Sequence, residues 1–176
     1  DGQHLLSAGA GKTNVFETAA GGGKVNQVVQ TVMNGTTSGN NSSFTDISGM
    51  TCDITPSASD SKILISVSAI WSGNASYSIN IRWVRDSTVI FAGTSAGSRP
   101  LGFFGYQGVE ARGCQQIGPA EYLDSPNTTS AVTYHLEWRN QCCSNTHYLG
   151  RTYNDNNGTE YDVRAASSIT LMEILA

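Results

Sequence analysis

Apolar and polar residues alternate with a period of two along most of this chain. The clearest case runs from Lys62 to Val84. Ile63, Ile65, Val67, Ala69 and Trp71 share one face of a first run, and Tyr77, Ile79, Ile81 and Trp83 share one face of a second. Successive side chains of a strand point to opposite faces, so each run fits a half-buried strand. Ser72-Gly73-Asn74-Ala75-Ser76 between them has turn chemistry. The pattern predicts an antiparallel hairpin at the centre of a β core.

The same alternation predicts further strands at Lys24–Met33, Thr88–Ala92, Glu121–Asp124, Ser130–Arg139, Tyr148–Tyr153 and Ser168–Leu175. It also predicts a pair, or one interrupted strand, across Phe44–Thr55 with Gly49 at the break. Val132, Tyr134, Leu136 and Trp138 mark one inward face. The last strand is apolar on both faces, which predicts a central position or one at a subunit interface. No stretch has helical periodicity. About eight to ten short strands joined by Gly, Asn and Ser turns predict an all-β fold, a single β-sandwich of jelly-roll type. Residues 24–176 would form this head domain. Residues 1–23 are Gly-rich, end in Gly21-Gly22-Gly23 and hold too few large apolar residues for a core, so they are expected to be a stalk or linker.

Composition narrows the setting. Charged residues make up 14% of the chain, against about 25% in ordinary globular proteins. Its polar surface therefore rests on Ser, Thr, Asn, Gln and Gly, which suits an extracellular or virion β protein. A net charge of −4 without a basic run gives no footprint for nucleic acid. No apolar stretch approaches the length of a membrane-spanning helix, and the opening residues lack a signal-peptide pattern. With no initiator Met either, the chain is expected to be processed or part of a longer one. Cys52, Cys114, Cys142 and Cys143 include no C-x-x-C pair, so no structural zinc site is expected. Their disulfide state stays open, with Cys52 read as a buried small apolar residue.

Candidate chemistry is sparse. Gly11-Lys12-Thr13 lacks the earlier glycine of a phosphate-binding loop, since Leu6 stands there. His4, His135 and His147 lie in unrelated segments, and the carboxylates are scattered, so no catalytic residue, cofactor or metal is expected. Asp155, Glu160 and Asp162 surround Asn156-Asn157-Gly158, but their spacing is not that of a calcium loop, and a polar hairpin turn is the expectation. The Asn-x-Ser/Thr triplets are read as turns. Gly93–Pro119 is a long irregular stretch, as functional loops often are. It contains Phe103, Phe104, Tyr106 and Gln107. These aromatics either pack beneath their loop or at a subunit interface, or form an exposed platform. An aromatic ring beside amides is how a surface grips a sugar. Phe103, Phe104, Tyr106, Gln107, Asn74 and Asn156 are the candidate glycan-binding residues.

Four stretches together resemble the C-terminal domain of tail-fibre-like structural proteins of tailed bacteriophages, of marine and cyanophage type. The first is Asp1-Gly2-Gln3 with Leu6-Ser7-Ala8-Gly9-Ala10-Gly11 and Phe16-Glu17-Thr18. The others are Lys24-Val25 with Gln27-Val28-Val29, the run from Tyr122 to Tyr134 that contains Leu123-Asp124-Ser125-Pro126, and Ser168–Ile174. The resemblance implies a virion protein, a fibre tip that assembles as a homotrimer. Its N-terminal side would join other virion proteins, and its loops would bind a host-surface receptor, expected to be a carbohydrate. It supplies no catalytic residue and no receptor residue. The alternatives are a non-adhesive capsid fibre, decoration or fibre-assembly domain, a polysaccharide-degrading tailspike, or a secreted sandwich of the C1q or tumour-necrosis type.

Overall fold

The computed structural model describes residues 3–6, 15–18, 24–73, 78–107, 116–117, 120–140, 146–158 and 162–176, with backbone only at 3–6, 15–18, 106–107 and 116–117. Among these residues every regular element is a strand. The order is β1 (Gln3–Leu6), β2 (Val15–Thr18), β3 (Val25–Met33), β4 (Thr37–Gly39), β5 (Thr45–Ile54), β6 (Lys62–Ser68), β7 (Ile70–Gly73) and β8 (Ser78–Arg85). There follow β9 (Thr88–Ile90), β10 (Phe104–Gln107), β11 (Gln116–Ile117), β12 (Ala120–Asp124), β13 (Val132–Asn140), β14 (His147–Leu149) and β15 (Ser167–Ile174). β1 and β2 pair as a separate hairpin inside the Gly-rich segment.

Strand pairing defines a jelly roll. One sheet has the order β12-β6-β15-β3, and a second short tier, β11-β7-β14-β4, repeats its columns with chain neighbours. The facing sheet has the order β10-β8-β13-β5, with β9 also on β8. Count the principal strands β3, β5, β6, β8, β10, β12, β13 and β15 as one to eight. The pairs are then one with eight, two with seven, three with six and four with five. That is one long antiparallel hairpin rolled into two sheets, the double Greek key of a jelly-roll sandwich. The inward residues meet in one core: Ile63, Ile65, Val67, Leu171 and Ile169 from one sheet, Ile79, Ile81, Trp83, Tyr134 and Leu136 from the other.

The expected central hairpin is not formed. β6 and β8 lie in opposite sheets and face each other across the core. Alternation identifies the inward face of each run: Ile63, Ile65, Val67, Ala69, Trp71, Ile79, Ile81 and Trp83 are buried, and Tyr77 lies outside the described residues. Alternation carries no information, however, about the pairing partner. The first run also breaks at Ala69, where the chain passes from β6 into β7 of the second tier. The Phe44–Thr55 expectation resolves into one strand, β5. Its ladder with β13 shifts register beside Gly49, whose φ is +85°. Gly93–Pro119 is less irregular than expected, since it contains β10, which closes one edge of a sheet. Tyr148–Tyr153 is shorter as a strand, ending at Leu149 because Gly150 turns at φ +81°. β15 is central, between β6 and β3, as its two apolar faces predict.

Two buried polar pins fix the roll. Glu173, 0% exposed, accepts hydrogen bonds from Asn26, Gln27, Ser61 and both the amide and hydroxyl of Ser57, at 2.6–2.9 Å. Burial would raise its pKa, but these donors outweigh that and hold it well below the usual carboxylate range. The second pin joins the sheets: Tyr134 Oη donates to Asp124 Oδ2 at 2.7 Å, and Arg85 Nη1 donates to the same oxygen at 2.7 Å. Asp124 is the aspartate of the Leu-Asp-Ser-Pro stretch. Cys52 is buried and free, and its thiol pKa is pushed up by burial. Cys114, Cys142 and Cys143 lie outside the described residues.

The outer face of the β12-β6-β15-β3 sheet carries an uninterrupted apolar row. Leu123, Leu64, Met172 and Val28 are cross-strand neighbours in that order. Val28 is 56% and Leu123 52% exposed, and Val25 and Val32 lie exposed on the same edge strand.

Candidate functional site

After β14 the chain makes an excursion that returns at β15. Gly150 donates its amide to Ile70 O at 2.9 Å and accepts one from Ala165 N at 2.9 Å, so both ends of the excursion are tied to the second tier. A Cβ at Gly150 would collide with the Gly35 carbonyl. Arg151 and Arg164 form a bridge across the excursion. Its tip carries Asn154-Asp155-Asn156-Asn157-Gly158, with Asp155 in the left-handed region at φ 52°, a conformation that Asp tolerates.

Asp155 organises the tip. Arg164 donates Nε to Oδ1 at 2.6 Å and Nη2 to Oδ2 at 2.5 Å, a two-point grip, while Arg151 Nη1 lies 2.8 Å from Oδ2. The two guanidiniums, Arg164 first, hold the Asp155 carboxyl below its ordinary range. Arg151 also lies over the Tyr148 ring at 3.7 Å, and Tyr153 meets Tyr148 edge-on at 5.9 Å. Thr152 is buried and its hydroxyl donates to Asp162. Beside this framework lies a cavity of about 390 Å³ lined by Asp155, Asn156, Asn157, Gly158, Asp162, Val163 and Arg164. A second hollow of about 150 Å³ is lined by Thr36, Thr37, Ser38, Tyr148 and Arg151. Arg151 connects them, since it lines the second and pairs with Asp155 of the first.

The described charges here balance, two arginines against Asp155 and Asp162. The described side chains of the tip therefore present amides, hydroxyls and aromatic rings beside paired charges, a chemistry suited to a hydroxyl-rich ligand. It is poorly arranged for calcium, because the arginines occupy Asp155 and Thr152 engages Asp162. Glu160 lies outside the described residues.

Among the residues expected from the sequence, Asn156 lines this cavity. Phe103 and Phe104 lie elsewhere and are half-buried against the core. Phe103 contacts Trp83 at 5.6 Å, Phe91 at 6.0 Å and Phe104 at 6.4 Å between centroids. Both rings pack against the core. Tyr106 and Gln107 are described as backbone in β10, and Asn74 lies outside the described residues. Asn156 and the Phe103 cluster are thus separate surfaces.

Tyr148, Arg151, Tyr153 and Arg164 come together as a group only in the fold. A signal existed in the density of Tyr, Arg, Asp and Asn between 148 and 164, but expecting a strand through Tyr153 hid it. Phe91, expected within a strand, lies just beyond the end of β9. It has φ 45°, is 40% exposed and stacks on Tyr122 at 4.9 Å. A bulky residue in that region is an outlier.

No protein-family model and no curated protein matches the chain. Among solved structures, a structure of infectious bursal disease virus, Gx strain, aligns over 98% of this chain with a TM-score of 0.39 and 10% identity. The chain spans 47% of that protein's chain, about half its length.

Proposed function

We propose that this chain is a virion structural domain, the trimeric head of a fibre, which attaches to a glycan on the host cell surface through the 148–164 tip. The observation that carries this is the cavity beside Asp155. It is concave and bordered by Asn156 and Asn157, and Arg151, paired with its Asp155, caps the Tyr148 ring in the adjoining hollow. A neutral sugar needs such a set: rings for its apolar face and amides for its hydroxyls. The jelly roll supports the reading by supplying a rigid platform for a recognition loop. The apolar row on the outer sheet face supports self-association, because monomers rarely expose large contiguous apolar patches. The resemblance to phage fibre tips supports the virion setting. Attachment is proposed to proceed without bond cleavage.

The test is attachment of the fluorescently labelled domain to candidate host cells and to a glycan array. Wild type should bind, and Asn156→Ala and Tyr153→Ala should each weaken binding at least tenfold with the fold unchanged by circular dichroism. Binding unaffected by both changes would place recognition elsewhere on the domain. A trimer that binds no cells would favour the non-adhesive fibre or decoration role, and release of sugar fragments the tailspike.

A further inference from the structure

We infer that Asp46, His135 and Glu137 form a binding site for a divalent transition-metal ion of the zinc class on the outer face of the β10-β8-β13-β5 sheet. His135 and Glu137 are two apart on β13, so both project outward. β5 is the edge strand here, and its register shift by Gly49 places Asp46 directly opposite Glu137. Two carboxylates facing each other across neighbouring strands repel. Arg82, on the other side of β13, donates Nε to Glu137 Oε2 at 2.5 Å and leaves Oε1 directed towards His135, 3.9 Å from its Nε2. Asp46 Oδ1 lies 3.3 Å from the same nitrogen. One ligand atom from each residue can be chosen so that all three lie within 4.8 Å of one another.

Those separations fit a shared ion. Zinc bonds of about 2.0–2.1 Å in a tetrahedron set ligand atoms about 3.3 Å apart. The His135–Asp46 separation already matches, and Glu137 needs only a small rotation about its side chain. Imidazole with carboxylates is a donor set that selects zinc or its neighbours over calcium and magnesium, which prefer oxygen alone. Arg82 then acts from the outer shell: it fixes Glu137, and Phe44 stacks on its guanidinium at 4.0 Å. Three protein ligands leave one position for water. A bound ion would remove the carboxylate repulsion and clamp the bulged edge strand to β13.

The test uses the metal-stripped domain titrated with zinc by calorimetry, with cobalt as a spectroscopic probe and thermal melting as a second readout. One saturable zinc site is expected, with a rise in melting temperature that chelator reverses. Cobalt should give bands without thiolate charge transfer. His135→Gln should weaken zinc binding at least a hundredfold, and the exposed Asp46→Asn, which leaves the core untouched, about tenfold. The proposal is overturned by no binding at millimolar zinc, by variants that bind as wild type, or by a cobalt spectrum of thiolate type. The last would move the ion to the cysteines.

Discussion

At the scale of single residues, buried ionisable groups decide how this domain responds to acid. His147 is 3% exposed and its Nε2 has no hydrogen-bond partner among the described residues. Burial lowers its pKa from 6.5 to about 4. The folded state therefore holds it neutral, while the unfolded chain protonates near 6.5. Its contribution to stability is complete above that pH and is lost as pH falls from 6.5 towards 4, about 3 kcal/mol in all. Chemical denaturation measured across that window should show the loss, and His147→Gln should flatten it. Glu173 titrates lower. Its pKa is depressed, so its contribution is present above the ordinary carboxylate range and disappears only as pH falls below it. Glu173→Gln replaces an acceptor of five hydrogen bonds by a group that must donate into them. A loss of about 3 kcal/mol is expected at neutral pH, read from the shift in denaturant midpoint.

At the scale of elements, the two sheets are held by apolar packing and by the Tyr134–Asp124–Arg85 pin. Tyr134→Phe removes a hydrogen bond to a carboxylate that keeps its arginine. It should cost about 2 kcal/mol, with coupling to Asp124→Asn visible in a double-mutant cycle. Additive losses would mean that the pin does not act as a unit. Which side of each strand is buried was legible in the sequence, because a period of two reports burial directly. Alternate residues from Ile63 to Trp71 and from Val132 to Trp138 face the core as their pattern requires. Which strands pair was not legible. The roll pairs one with eight and two with seven through long connections, and nothing local encodes those partners. The hairpin expected across Asn74 is not formed for this reason: turn chemistry in a sequence does not say whether the strands it joins share a sheet. The candidate site was legible only at Asn156. Tyr148, Arg151 and Arg164 become a group through the Gly150 turn and the Arg151–Arg164 bridge, contacts set by the fold. The facing of Asp46 and Glu137 depends likewise on the register shift in β5.

At the scale of the whole molecule, the decisive feature is the apolar row across the outer sheet. Leu123, Leu64, Met172 and Val28 span all four strands without a charged residue, and Val25 and Val32 extend the patch along β3. An edge strand with such a face invites association, and nothing in the row would oppose a second copy. If copies meet there, a charge in the row must be buried at the interface without a partner, which costs several kcal/mol per contact. Val28→Glu and Leu123→Glu should leave the fold intact, since both side chains are more than half exposed, and should drive the domain to monomers. Light scattering on a sizing column is the measurement. Wild type is expected at three times the 18.7 kDa chain mass, and each variant at one. The monomeric variants retain the 148–164 tip unchanged, so their single-site affinity for a glycan should equal that of wild type. Their attachment to whole cells should fall by a hundredfold or more, because clustered sites gain about 10²–10⁴ in avidity. A wild-type monomer that attaches to cells as tightly as any assembly would separate the two halves of the proposal, leaving recognition to the tip alone and the apolar row without a role in it.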